Sequence, residues 1–144
     1  MNRYLSFQVG EARFAVGLAM IRQVLRFENV AAVPQVPLPV EGILNLGGEV
    51  VPVISLRARF GLPRLPPSPR QRVLIAERAG GKYGLLVDRV REIFELEASS
   101  IAPPAGGPAG LKAGIMEGMA KVGEVLLYIL DLPRLLAVEG PALE

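Results

Sequence analysis

YLSFQVGEARFAVGLAMIRQVLR, residues 4–26, is nearly restated by VLIAERAGGKYGLLVDRVREIFE, residues 73–95. At a shift of 69, Leu5 falls on Leu74, Phe14 on Tyr83, Val16 on Leu85, Ile21 on Val90, Arg22 on Arg91 and Val24 on Ile93, and further on Pro34 falls on Pro103. The later part of each unit matches at slightly longer shifts, Gly42-Ile43 with Gly114-Ile115 and Leu56 with Leu132. Self-similarity at a fixed offset is the signature of a duplicated architecture. Between the copies lies PRLPPSPR, residues 63–70, whose prolines donate no ladder bond and favour an extended spacer. The reading is therefore one unit over about residues 1–62, a linker over 63–70 and a second unit over about 71–138. PPAGGPAG, residues 103–110, reads as a mobile surface loop inside the second unit.

Each unit reads as strands around one short helix. YLSFQV alternates with a period near two, Gly10-Glu11 turns the chain, and RFAVG continues it, which is a hairpin pattern. From Leu18 the apolar residues Leu18, Ile21, Val24 and Leu25 recur at helical spacing, with Arg22, Gln23 and Arg26 on other faces. In the second unit Asp88 is placed to cap a matching helix with Val90, Ile93 and Phe94 inward. A short strand is expected near Val30 to Val33, then a hairpin turning at Gly47-Gly48. Pro52 in its second strand implies an edge or a bulge. Ser55 and Asp131 are natural N-caps for short helices over 55–61 and 131–138, with Gly61 and Gly140 as stops. About five short antiparallel strands per unit suit a small closed barrel, because closure removes exposed edges.

The chain of 144 residues contains no Cys and no His. That removes disulfides, thiolate nucleophiles, imidazole bases and nearly all zinc sites. Pro, Gly and charges interrupt every apolar run well short of a bilayer span, and MNRYLSF lacks the basic-then-apolar order of a leader, so a cytoplasmic protein without membrane insertion is expected. The formal net charge is only +2, which makes the basic pI weak evidence for a nucleic-acid partner.

Gly47-Gly48 lacks the further glycines, the Lys-Ser/Thr pair and the following helix of a phosphate loop, so it reads as a hairpin turn. Asp88 and Asp131 sit where caps belong, Glu49 and Glu124 follow turns, and Ser55 and Ser68 have no evident base. The arginines at 57, 59, 64, 70 and 72 suit a phosphate backbone, the basis of an alternative reading as a small-barrel nucleic-acid binder. Against it, aromatic stacking platforms are scarce, with five Phe, three Tyr and no Trp. What remains is apolar: the seam between two barrels would form an aliphatic groove fitted to a partner helix, while any single one of these aliphatics reads first as core. No catalytic residue, metal or cofactor is expected, and the chain reads as a binding module rather than an enzyme.

The order YLSFQVGEARFAVGLAMIRQVLR, VPLPVEGILNLGGEVVPVISLRARFGL, GLLVDRVREIFE and LYILDLPRLL resembles the CheW family of chemotaxis coupling proteins over nearly the entire chain. The most specific pieces are GxxNLxGxxxPVIxLRxRFG and GLLVDxVxE. The resemblance implies a mainly β fold of two SH3-like five-stranded barrels and a scaffold role. It implies partners in the regulatory domain of a CheA-like histidine kinase and in the cytoplasmic tip of a chemoreceptor, with localisation at membrane receptor arrays. Carried over by position, the receptor-facing groove would involve Ile21 and Gln23, Leu44, and Leu86 with Val87. The chain departs from the family at Gly47, where the usual residue is Arg, and at Ser55, where it is Asp. Glycine cannot make the forked bonds of an arginine, so Gly47 marks a changed partner surface. The joint departure suggests a charge pair removed together. A specialised CheW-like adaptor of twitching motility or another chemosensory-like pathway is the alternative within the family.

Overall fold

The computed structural model of the protein describes residues 1–32, 40–78, 80–104 and 113–139. Strands β1 (Asn2–Val9) and β2 (Ala12–Gly17) form the expected first hairpin. A single 3-10 turn, Leu18–Met20, then leads into β3 (Ile21–Arg26). The chain continues through β4 (Val30–Ala31), β5 (Val40–Leu46), β6 (Glu49–Ser55) and helix α1 (Leu56–Arg59). After the spacer come β7 (Arg72–Arg78), β8 (Gly81–Val87), β9 (Arg89–Leu96), β10 (Met116–Val122), β11 (Val125–Leu130) and helix α2 (Leu132–Glu139).

The two expected helices at 18–26 and 88–94 are strands. Both β3 and β9 carry one extra residue against their partners: Ile21 and Gln23 face Ala76 and Ile75, while Val90 and Ile93 face Phe7 and Leu5. Such a bulge breaks the period of two and leaves apolar residues three and four apart, which mimics a helix. At the β9 bulge the buried Ser6 hydroxyl donates to the Glu92 carbonyl at 2.6 Å and accepts from its N–H at 2.9 Å. Asp88 consequently caps no helix.

One sheet runs β10-β11-β2-β1-β9, the other β3-β7-β8-β6-β5-β4. Each therefore takes strands from both sides of the spacer, so the sheets do not follow the sequential units expected around residues 63–70. The exchange is symmetric. Leu5↔Ile93 in one sheet repeats Leu74↔Val24 in the other at the shift of 69. The parallel pair Ile129↔Ala15 likewise repeats Val53↔Gly84.

Each sheet closes because the chain leaving one edge strand reaches the opposite edge. From β3 it passes to β4, whose Ala31 faces Ile43 of β5, and from β9 it passes to Ala102, which exchanges two backbone hydrogen bonds with Met119 of β10. At both closures a glycine admits the crossing strand. A Cβ on Gly42 would strike the Ala31 carbonyl oxygen, and one on Gly118 would lie 2.5 Å from that of Ala102. The counterpart of Gly42 is thus Gly118 at a shift of 76, the offset that also lays Leu56 on Leu132. This corrects the pairing of Gly42-Ile43 with Gly114-Ile115.

Pro52 lies in an interior strand rather than on an edge, and the register shift in its hairpin falls at Val40/Gly42. The parallel partner β8 joins β6 only from Val53 onward, so position 52 faces no strand on that side. Its missing N–H therefore costs no ladder bond. Gly47 and Gly48, with φ of 60° and 89°, make the tight hairpin turn, and the Asn45 side chain accepts from Gly48 N–H at 2.9 Å. Ser55 caps α1 through Ala58 N–H, Asp131 caps α2 through Arg134 N–H, and Gly61 ends α1 at φ 76°. Val33, most of the 103–110 loop and the Gly140 stop lie outside the described residues.

The period of two sends successive side chains into different cores. Tyr4, Ala15, Leu127 and Ile129 fill one barrel, and Leu44, Val53, Val73, Ile75 and Leu86 fill the other. The alternate positions Leu5, Phe7, Phe14, Val16, Leu74, Leu85 and Val87 meet in a third core between the sheets. β1, β2, β7 and β8 are therefore apolar on both faces, and each large side chain contributes about 1.5–3 kcal/mol by leaving water.

Candidate partner-binding site

The seam between the barrels is a packed core rather than an open groove, and this sorts the expected site residues. Val87 is fully buried in that core and offers no surface for a partner. Leu44 and Leu86 are brought together, but inside the barrel of the second sheet. Ile21 is half-buried and packs on the inter-sheet core, whereas Gln23 is exposed on the edge strand β3. Gly47 is exposed at the tip of the β5–β6 hairpin, with open space where a side chain would stand.

Gly47 and Ser55 stand at opposite ends of β6, separated by about 20 Å of strand. An arginine and an aspartate at those positions could not touch. The idea of a lost charge pair is overturned, because hairpin geometry sends the tip away from the helix cap.

The strongest polar constellation was missed as such in the sequence. Asp88 lies at the crossover where β8 of one sheet becomes β9 of the other. Arg57 Nε of α1 sits 2.9 and 3.0 Å from its two carboxylate oxygens, and Gly10 N–H of the first hairpin donates to it at 2.8 Å. Arg57 Nη1 also donates to the Pro63 carbonyl at 2.9 Å. Both side chains of the pair are mostly buried, at 17% and 14% exposure. One arginine therefore ties the first hairpin, the sheet crossover and the spacer into one unit, with charge-assisted bonds satisfying the buried carboxylate. The motif LR of residues 56–57 and the VD of 87–88 were the available signal.

This constellation holds structure rather than performing acid–base chemistry. Asp88 is engaged by Arg57 and Gly10, and Asp131 by α2, so the two carboxylates do not converge on a cleft. Among the described residues no group of three or more Asp and Glu is placed to hold a metal ion. The arginine cluster is largely spent internally: Arg57 on Asp88, Arg64 on Glu41 at 2.6 Å, and Arg72 on the carbonyls of Pro69 and Gln71. No helix among the described residues is long and apolar enough to cross a membrane.

Two clefts stand out among the described residues. One, of about 760 Å3, lies between the first hairpin and the β10–β11 hairpin and is walled by Phe14, Phe60, Leu62 and Tyr128. The Phe14 ring meets those of Phe60 and Tyr128 in tilted pairs, 4.9 and 5.8 Å between centroids, which fixes that wall. The other, of about 620 Å3, lies by the 3-10 turn and the start of α2.

Known proteins share this arrangement. The crystal structure of the scaffolding protein TtCheW from Thermoanaerobacter tengcongensis superposes with a TM-score of 0.83 at 30% identity, covering 91% of this chain and 84% of that one. The chemotaxis protein CheW of Treponema pallidum is 26% identical over 135 residues, covering 91% of this chain and 79% of its own length. That of Klebsiella aerogenes is 25% identical over 142 residues, covering 99% and 86%. The family model described as the CheW-like domain matches residues 3–140. With two closed, strand-exchanged barrels and that match over almost its full length, the chain belongs to the CheW-like domain family.

Proposed function

We infer that this protein is an adaptor of bacterial chemosensory signalling, coupling chemoreceptors to a CheA-type histidine kinase without a reaction of its own. The observation that carries the reading is the likeness, over 91% of the chain, to a solved scaffolding protein of the same family. The residue chemistry agrees. The chain has no Cys or His, and its buried carboxylate is held by an arginine and a backbone amide.

The partners proposed are the regulatory domain of the kinase and the cytoplasmic tip of the receptor, which places the protein in the cytoplasm beside membrane arrays. Of the proposed contact residues, Gln23 and Gly47 have the exposure to touch a partner and Ile21 part of it. Leu44, Leu86 and Val87 act from beneath by setting the shape of the strands. At the hairpin tip the absence of an arginine at position 47 makes that contact weaker in charge than in family members that carry one.

The test is co-sedimentation of the purified chain with the kinase regulatory domain and with receptor cytoplasmic fragments from the same source. Binding to both is expected, with receptor binding alone weakened on Gln23→Lys and the circular dichroism unchanged. No binding to either by the folded chain rejects the coupling role.

A further inference from the structure

The duplication makes two places in the molecule equivalent, yet among the described residues only one is filled. On the first, Gly61 turns the chain back after α1, with Leu62 N–H donating to the Arg57 carbonyl at 2.7 Å. The spacer then crosses the barrel end. Arg64, Leu65 and Pro67 lie against Ser55, Gln71, Leu86 and Asp88, leaving a void of only about 10 Å3. Arg64 reaches Glu41 at 2.6 Å. Arg72 donates to the spacer carbonyl of Pro69 at 2.7 Å.

The counterpart, found by the shifts of 69 and 76, is the cleft of about 620 Å3. Its lining has lost bulk: Gly17 stands for Leu86, Ala19 for Asp88 and Pro133 for Arg57. Its recognition groups are kept. Glu117 stands for Glu41 and Arg3 for Arg72, and both are exposed with no hydrogen bond or ion pair among the described residues. Tyr4, nearly buried in the barrel core, floors the cleft, and the half-buried Leu18 and Met20 add apolar lining. As far as Glu139 the described chain does not refill the space in the same way. α2 continues to Glu139, past Leu135, the counterpart of the last residue of α1, and so runs on where the spacer turns back.

We propose that this cleft docks an extended, proline-rich segment of a partner protein carrying one arginine, bound as the spacer is bound on the other side. The molecule supplies the template: an extended chain preset by prolines, an arginine meeting a glutamate, and a carbonyl receiving an arginine N–H. Glu117 and Arg3 match the two polar features, and the apolar lining at Leu18 and Met20 suits the prolines. The inference is independent of which signalling partners the adaptor couples.

The experiment uses the full chain and a fluorescein-labelled peptide with the sequence of residues 61–69, GLPRLPPSP. Fluorescence anisotropy is expected to give a Kd of about 100 μM or tighter. Glu117→Lys in the protein, or alanine for arginine in the peptide, is expected to weaken binding at least tenfold. Gly17→Leu, which restores the bulk of Leu86 at a half-buried position with nothing within 4 Å of an added Cβ, is expected to do the same without shifting the melting temperature. Amide shifts in NMR spectra are expected at Tyr4, Leu18 and Leu130. Several results overturn the proposal: no binding at millimolar peptide, binding indifferent to both protein variants, or shifts centred on Ser55 and Asp88, meaning displacement of the internal spacer. A tenfold gain in affinity on removing residues 140–144 also overturns it, since the chain's own end would then be the occupant.

Discussion

The chain crosses from one sheet to the other at two equivalent points, and it treats them differently. At Asp88 the crossing is locked by Arg57, Gly10 and the spacer. At Ala19 there is no charge, Pro133 replaces the arginine, and a cleft stands open. Duplicated backbones keep their register because buried apolar residues demand it, while the polar groups laid over them are free to diverge. Architecture is thus shared between the halves, whereas any specificity lies in what they no longer share.

Substitutions at matched positions sharpen this contrast. The largest effect is expected at Val87, fully buried, against its counterpart Leu18, which is only half-buried. Val87→Asp should cost more than about 4 kcal/mol and abolish the cooperative urea transition, because it buries an unpaired charge. Leu18→Asp should leave a folded protein weakened by about 1–2 kcal/mol. Equal damage from both would mean the two crossings are packed alike.

Next come the closure glycines. Gly42→Ala and Gly118→Ala both force a Cβ onto a backbone carbonyl, and each should lower stability by about 2–3 kcal/mol in urea melts. A loss at one only would show that one barrel is not closed as described. The polar lock ranks third. Arg57→Ala should cost about 1.5–3 kcal/mol, since it strands a mostly buried carboxylate, while Arg134→Ala, at an exposed pair with Asp131, should stay within about 0.5 kcal/mol. Last come the hairpin tips, where no difference between the halves is expected. Gly47→Ala and Gly123→Ala, at φ of 60° and 62° with open space around both, should each cost about 1 kcal/mol by strain alone.

The duplication, both hairpins, the caps at Ser55 and Asp131 and the turn at Gly47-Gly48 were legible because each rests on local chemistry. The strands β3 and β9 were not. Their bulges shift the apolar spacing to three and four, and Val24 and Ile93, which looked inward, are 44% and 55% exposed. The exchange of strands across the spacer was also hidden, since a repeat reveals that two segments are alike but not which partner each prefers. Of the site residues, exposure was the part that could not be read. Leu44, Leu86 and Val87 are aliphatics in two-faced strands, and the same pattern serves a groove or a core.

The crossing of strands between barrels bears on how such a chain arose. Its five-stranded sheet needs β1 and β2 from before the spacer and β9, β10 and β11 from after it. A single ancestral half would have left those pairings unmet, and a second copy of itself would have supplied them with the same register. The spacer is thus a covalent join between halves whose strands pair as those of a symmetric homodimer would, and it allows the two halves to differ where a homodimer's could not.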